Sequence, residues 1–385
     1  MDLYLASVIG FVVVLAILLF RDRKNVEVKS YLMFIRRTQR GRGLIERIAE
    51  DKEWFWNKIG IISTLVGFGG MGFAFYYLAK TLLEQIIGAP AAGGPRLVIP
   101  VPSQEAAFLP GVIGVPFWSW IISIGLLMVV HEGSHGIMVK TVKSKIESLG
   151  VVLLAVIPGA FVEPDEEDLK EKSWLDQLKV YSAGSFANFC LGGLVFVILS
   201  FVFLPIFTTP AIGYQGYVNA SEYNRTSFPA QEVNMTGQIL SIDGQRTDSF
   251  DKFKEVLNGK RPGDTVSIET TDDSYQLTLE GNPDNESEPF LGVSYVSESN
   301  AFKEKYRKSG SKSGLDAIYK LLNWIFILNI GIGIMNLLPL KPLDGGLMVE
   351  ALSEKYFPEK SKVIVRGVSA LSLTLLLSIF LYVFL

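Results

Sequence analysis

The chain has 385 residues, of which 49% are hydrophobic and 19% charged, a composition typical of a polytopic membrane protein with a soluble portion. The formal net charge of −3, without a basic stripe interleaved with aromatic residues, argues against a nucleic-acid partner. The single cysteine, Cys190, lies in a hydrophobic run, which excludes a disulfide framework and a cysteine-based zinc site.

The first predicted membrane span runs from Leu3 to Phe20 and is followed directly by the basic cluster 21–24. A cleavable signal peptide has basic residues before its apolar run and small residues after it, so this order predicts a retained span with its N-terminus outside. The positive-inside rule places the short basic segment 21–58 in the cytoplasm, where its charges are expected to face solvent and lipid headgroups. Residues 1–58 are thus predicted to form an N-terminal region.

A second span is predicted from about Ile59 to Ile87, preceded by Trp54 and Trp56 as an interfacial aromatic belt. The loop that completes the region 59–116 is rich in Gly, Pro and Ala. Its only basic residue is Arg96, as expected of an external loop.

The stretch Phe117–Val139 is apolar enough to span a membrane but contains His131, Glu132 and His135. Residues four apart lie on one face of a helix, so the two imidazoles can share one metal ion. Glu132 can then take a proton from an attacking water, as in the H-E-x-x-H motif of zinc peptidases. The alternative is a pair of hydrogen-bonded histidines at a helix end. The chain has only these two histidines, and ionisable groups in hydrocarbon are costly without a function, so a metal site is favoured.

Three lysines mark the end of this span as cytoplasmic, namely Lys140, Lys143 and Lys145. At about 1.5 Å per residue, the histidines lie beyond the midplane, roughly a third of the bilayer from the cytoplasmic face. The site is therefore expected to open toward the cytoplasm.

The segment Gly150–Val162 is apolar, too short to span and broken by a Pro-Gly pair, which predicts a hairpin or re-entrant segment. A fourth span is predicted from about Leu178 to Phe203, with Gly184 and Asn188 on a face of small residues. This face indicates either close helix packing or, for Asn188, a polar group turned toward the site. Residues 117–210 are thus predicted to form the core with the H-E-x-x-H span, the hairpin and the fourth span.

From Ala211 to about Ser299 the sequence becomes polar, with alternating stretches and an amphipathic helix at Ser249–Leu257, which predicts a small β-rich domain. Four N-glycosylation sequons in this region fit an extracytoplasmic side. They begin at Asn219, Asn224, Asn234 and Asn285.

The region 300–385 contains a fifth predicted span at about Leu315–Leu338 and a last one at Val363–Leu385. The basic residues between them place the connection in the cytoplasm. The Asn336-to-Asp344 stretch, NLLPLKPLD, lies at this end.

The third metal ligand is expected to be a carboxylate, because catalytic zinc usually has three protein ligands and Cys190 is most simply a core residue. The candidates near the cytoplasmic side are Asp344, Glu350, Glu147 and Glu163. Asp344 is favoured because two prolines end the preceding helix at the depth of the histidines. Its alternative role is a helix N-cap.

Three motifs together resemble the site-2 protease family of intramembrane metalloproteases. They are His-Glu-Gly-Ser-His at 131–135, the Gly184-to-Asn188 pattern, and Asn336-x-x-Pro with Asp344-Gly. The resemblance covers a three-helix core at 117–346, the hairpin and a PDZ-like inserted domain at 211–299.

The resemblance implies one Zn²⁺ per chain, with Glu132 as general base and the hairpin presenting an extended substrate strand. The implied zinc ligands are His131, His135 and Asp344. The implied contacts with the substrate or its polarised carbonyl are Gly184, Asn188 and Asn336. The sequence departs from the family pattern in two ways: Ser185 stands where many members have proline, and two spans precede the core. A cysteine-rich lumenal insert, seen in animal members, is absent, which favours an archaeal or bacterial source.

The predicted function is hydrolysis of peptide bonds within or near transmembrane segments of membrane proteins. The predicted partners are a transmembrane protein substrate and the lipid bilayer, in a multi-pass cell-membrane protein with the PDZ-like domain outside. The alternatives are a catalytically inactive scaffold or chaperone, opposed by the intact Glu132, and a metal transporter, opposed by the lack of a polar relay.

Overall fold

The computed structural model describes residues 3–30, 33–88, 94–103, 106–109, 111–154, 157–302 and 312–383. Its helices are α1 (Leu3–Arg21), α2 (Arg42–Asp51), α3 (Glu53–Ile86), α4 (Phe117–Thr141), α5 (Glu166–Lys170), α6 (Trp174–Ile198), α7 (Pro229–Glu232), α8 (Phe250–Asn258), α9 (Lys312–Asn336), α10 (Asp344–Tyr356) and α11 (Ser361–Val383). Its strands are β1 (Glu27–Ser30), β2 (Met33–Thr38), β3 (Leu97–Val101), β4 (Ala107–Leu109), β5 (Val112–Pro116), β6 (Ile146–Leu154), β7 (Ile157–Pro164), β8 (Phe207–Gly213), β9 (Gly216–Tyr217), β10 (Ile239–Ile242), β11 (Gln245–Arg246), β12 (Thr265–Thr270), β13 (Ser274–Thr278), β14 (Glu280–Asn282), β15 (Asn285–Phe290), β16 (Val293–Ser294) and β17 (Ser297–Phe302). Parts of the predicted external loop (89–93, 104–105 and 110), of the hairpin (155–156) and of the last span (384–385) lie outside the described residues.

Within these ranges, six helices are long and apolar enough to cross a membrane. They are Leu3–Arg21, Glu53–Ile86, Phe117–Thr141, Trp174–Ile206, Gly314–Asn336 and Ser361–Tyr382. Large apolar side chains such as Leu65 and Val129 are exposed on these helices, an arrangement that is unfavourable in water and favourable in lipid. The prediction of a polytopic α-helical membrane protein with a β-rich region is confirmed.

The second of these helices, α3, begins at Glu53, before the predicted start at Ile59. Its 34 residues give a length of about 51 Å, well beyond the thickness of the hydrocarbon core. The aromatic belt therefore lies in its first turn, where the Trp56 indole N–H donates to the Ile48 carbonyl at 2.7 Å.

A four-stranded antiparallel sheet, in the order β1-β2-β6-β7, joins the N-terminal region to the predicted hairpin. In the β6–β7 hairpin Gly150 lies opposite Phe161, and β2 pairs with the other side of β6. A Cβ at Gly150 would lie 2.4 Å from the Phe161 ring and 2.6 Å from the Arg36 carbonyl oxygen, so only glycine fits there. The sequence predicts the hairpin but not β1 and β2.

Arg37 of β2 connects this strand to β6 and β7 through its side chain. Its guanidinium donates to Ser148 Oγ of β6 and to Glu163 Oε2 of β7, both at 2.6 Å. The hydrogen bond from Ser148 and the guanidinium of Arg37 together hold the pKa of Glu163 below its usual range. At this position the charge links three strands of the sheet, a role that the sequence does not predict.

The helix α6 lies close to α9 through its small residues. A Cβ at Gly192 would be 2.7 Å from Ile330 Cδ1, which leaves no room for a larger residue. On α4, Leu127 is buried in a cluster that also contains Leu328 of α9. These contacts pack α9 against α4 and α6, the two helices that contribute most residues of the site described below.

Residues 197–319 form a separate compact unit. Its main sheet has the order β13-β12-β10-β8-β17, with β11 paired to β10, and its core contains Ile242, Ile268 and Phe253 of α8. The amide of Lys252 donates to Ser249 Oγ at 3.2 Å, so Ser249 caps α8, which begins one residue after the start predicted from the sequence.

Candidate metal centre and active site

The two histidines of α4 lie one helical turn apart, with ring centroids 4.7 Å apart and ring planes at 79° to each other. Their Nε2 atoms are 3.1 Å apart, and His131 is 5% exposed. The apolar residues before the histidines belong to the same helix, Phe117–Thr141. The i, i+4 spacing places both rings on the face of this helix that packs against α6. The four-residue spacing in the sequence therefore brings the Nε2 atoms of both histidines together.

Backbone and amide groups of α6 orient both rings. The Nδ1 atom of His135 lies 2.7 Å from the Val180 carbonyl oxygen, which accepts the Nδ1–H proton and leaves Nε2 with a free lone pair. The Asn188 amide lies 3.1 Å from His131 Nδ1. The buried Asn188 Oδ1 has no hydrogen-bond partner among the described residues. A 180° rotation of the amide brings Oδ1 to the Nδ1–H of His131 and frees the second Nε2 in the same way.

Asp344 supplies the third donor from the first residue of α10. Its Oδ2 is 3.4 Å from His131 Nε2, and its Oδ1 is 3.5 Å from His135 Nε2. A Cβ at Gly345 would lie 2.1 Å from the Leu337 carbonyl oxygen, so glycine is required for α10 to begin this close to the end of α9. The N-cap of α10 is Leu343, and the carboxylate of Asp344 is directed to the histidines.

The donor set fits a tetrahedral zinc ion. Among the described residues, His131, His135 and Asp344 form the group whose ligand atoms all lie within 4.8 Å of one another. A tetrahedron with zinc–ligand bonds of about 2.0–2.1 Å has edges of about 3.3 Å. The two Nε2 atoms are 3.1 Å apart, and the nearest carboxylate oxygen of Asp344 is 3.4 Å from His131 Nε2 (Oδ2) and 3.5 Å from His135 Nε2 (Oδ1), distances close to this value.

Gly184 of α6 leaves the space in which these donors meet. A Cβ at this position would lie 2.4 Å from His135 Nε2 and 2.6 Å from His131 Nε2. The small residue predicted from the sequence as a packing or substrate position therefore borders the donor atoms themselves.

Gly184→Ala is expected to weaken zinc binding by about tenfold or more, because the added methyl group displaces both imidazoles. Zinc affinity measured by chelator competition tests this. Gly193→Ala is the matched control, because Gly193 lies on the same helix and a Cβ added there meets no atom within 4 Å. Equal affinities of the two variants would contradict the expected result.

Glu132 does not join the three donors but lies beside them. Its Oε2 accepts a hydrogen bond of 2.9 Å from the Val162 amide of β7. The carboxylate is thus held between α4 and the hairpin, where a general base would be next to both the metal and an extended segment along β7.

The other candidates lie in different environments. Glu350 pairs with Lys341 Nζ at 2.6 Å, and Glu163 belongs to the Arg37 cluster. Asn336, the last residue of α9, is half-buried and has no hydrogen-bond partner among the described residues. Asn188 contacts His131, and its predicted contact with substrate stays a prediction.

Two groups that hold the site were not predicted, the Val180 carbonyl and the Val162 amide. Both belong to the backbone, so no residue type in the sequence could indicate them.

The matches with known proteins agree with this geometry. The model for peptidase family M50 matches residues 119–378, a range that includes all of the site residues named above. An uncharacterized protein of Methanocaldococcus jannaschii is 28% identical over 360 residues, which cover 91% of this chain and 87% of that protein.

Proposed function

Because the chain belongs to peptidase family M50, the site-2 protease family, we propose that it is a zinc metalloprotease that cleaves transmembrane proteins within the membrane. The supporting observation is the group of two imidazoles and one carboxylate whose ligand atoms lie within 4.8 Å of one another. The imidazoles belong to α4, which is apolar enough to span a membrane, and the carboxylate belongs to α10.

In this proposal His131, His135 and Asp344 hold the zinc ion. When bound, zinc supplies a Lewis acid that polarises the scissile carbonyl and activates a water molecule. Glu132 takes a proton from the attacking water and passes it to the leaving amine, while the Val162 amide keeps the carboxylate in place.

The substrate is proposed to lie as an extended strand beside β7. A helix hides its carbonyl groups, so a transmembrane substrate must unwind locally before it can be cleaved. In the sheet order, β7 is the terminal strand and β6 its neighbour, which supports pairing at its outer edge. Gly184, Asn188 and Asn336 are the proposed contacts with the substrate or its carbonyl.

We further propose that the site faces the cytoplasm and that the β-rich unit is a PDZ-like module on the outside. The lysines after α4 and the sequons of the β-rich unit support this orientation. Membrane-impermeant thiol labelling of intact cells tests it in a Cys190→Ser background. Asn285→Cys should be labelled and Lys143→Cys protected, and the reverse pattern would refute the orientation.

The function is tested with purified protein and a membrane-inserted substrate peptide. We expect one zinc ion per chain, cleavage within the apolar segment, loss of cleavage after removal of zinc with a chelator, and recovery when zinc is returned. Bound zinc without turnover of any membrane-inserted substrate would support an inactive scaffold instead.

A further inference from the structure

Ser185 is a buried polar residue next to the metal centre that the proposed mechanism does not use. It follows Gly184 on α6 and is 0% exposed. Its hydroxyl donates to Asp344 Oδ2 at 3.2 Å. Within the described part of the chain, the side chains that hydrogen-bond or pair with this carboxylate are those of Ser185 and the two histidines.

The backbone of Asp344 is fixed, whereas its side chain needs a partner. A Cβ at Gly346 would lie 2.5 Å from the Lys341 backbone nitrogen, so the start of α10 is held tightly against the preceding turn. The carboxylate can still rotate about its own torsions and present either oxygen to a ligand. A hydroxyl that donates to Oδ2 engages one lone pair of that oxygen and thereby limits the rotation of the carboxylate.

We propose that Ser185 is a positioning residue that holds the Asp344 carboxylate in the orientation needed to bind zinc. It acts through Asp344 and does not touch the metal. The inference rests on the proposed metal centre, because without a metal ion the orientation of the carboxylate has no chemical consequence. Loss of such a hydrogen-bonding partner lowers metal affinity by about 10–100-fold in other metal sites.

Ser182 provides a matched control on the same helix. It is also 0% exposed, and its hydroxyl lies 2.8 Å from Ser63 Oγ. None of its hydrogen bonds reaches His131, His135 or Asp344. Ser182→Ala therefore removes a buried hydroxyl from α6 without removing a contact of the site.

The experiment compares the full-length protein with Ser185→Ala, Ser185→Thr and Ser182→Ala after each has been stripped of metal. The measured quantities are the zinc affinity, by chelator competition, and the visible absorption spectrum of the Co²⁺-loaded protein, which reports the coordination geometry. Ser185→Ala should bind zinc about 10–100-fold more weakly and show an altered Co²⁺ spectrum. Ser185→Thr, which keeps the hydroxyl, and Ser182→Ala should match the wild-type protein in both measurements.

Wild-type affinity and spectrum in Ser185→Ala would overturn this inference alone, whereas absence of metal from the wild-type protein would overturn the proposed function and this inference with it. Equal losses in Ser185→Ala and Ser182→Ala would also overturn it, since they would indicate a general packing effect. If Ser185→Ala does not fold, Ser185→Val replaces it, because valine matches the shape of Ser185→Thr and lacks the hydroxyl.

Discussion

Glu132→Gln is expected to bind zinc like the wild-type protein and to lose proteolytic activity by about two to four orders of magnitude. The glutamine amide cannot accept the proton of the attacking water. Its carbonyl oxygen can still accept the hydrogen bond that the Val162 amide donates to Glu132 Oε2, so the contact between α4 and the hairpin is retained. Zinc content and the rate of cleavage of a membrane-inserted substrate are the two measurements.

Zinc content and cleavage rate together distinguish a general base from a metal ligand. Loss of activity together with loss of zinc would show that Glu132 is a ligand and would overturn its assignment as the base. Activity near the wild-type level would require another base, and none of the other carboxylates considered belongs to the donor group within the described residues.

Asp344→Asn is expected to weaken zinc binding by about 10–100-fold or more and to reduce cleavage accordingly. The amide replaces the only anionic donor of the group, so the two charges of the metal are no longer partly offset. The amide is nearly the same size as the carboxylate, and the packing of α10 against the end of α9 should survive. Zinc affinity of the purified variant is the measurement.

Glu350→Gln is the matched control for this variant. Glu350 lies on the same helix but is directed to Lys341 Nζ at 2.6 Å, so its loss should leave zinc binding unchanged. Full zinc content in Asp344→Asn together with loss of zinc in Glu350→Gln would reverse the assignment of the third ligand.

The part of the site that depends on spacing could be predicted from the sequence. Helix geometry alone brings His131 and His135 to one face. The polar residues within an otherwise apolar run indicate where along the helix the site lies. Asp344 was favoured over three other carboxylates because two prolines end the preceding helix near the histidines and because the chain has no third histidine. The orienting groups could not be predicted, because Val180 and Val162 contribute backbone atoms.

The sheet that supports the site was predicted only in part. The Pro-Gly pair and the short apolar run indicate the β6–β7 hairpin, but β2 pairs with a strand more than a hundred residues away. Nothing local distinguishes its arginines from those of a headgroup-facing segment, and the partner of Arg37 becomes visible only when β6 and β7 are in place. The parallel pairing of β3 with β5 in the predicted external loop was not predicted either.

The pairing of β2 with β6 also bears on how much of the N-terminal region can be removed. A protein shortened to begin after Thr38 would keep every residue of the metal centre, yet its hairpin would be reduced to two strands with both edges open. Two-stranded ribbons are marginally stable, and open edges tend to pair with other chains. Since the Val162 amide of this ribbon donates to Glu132, the strand β2 supports the candidate active site from the N-terminal region.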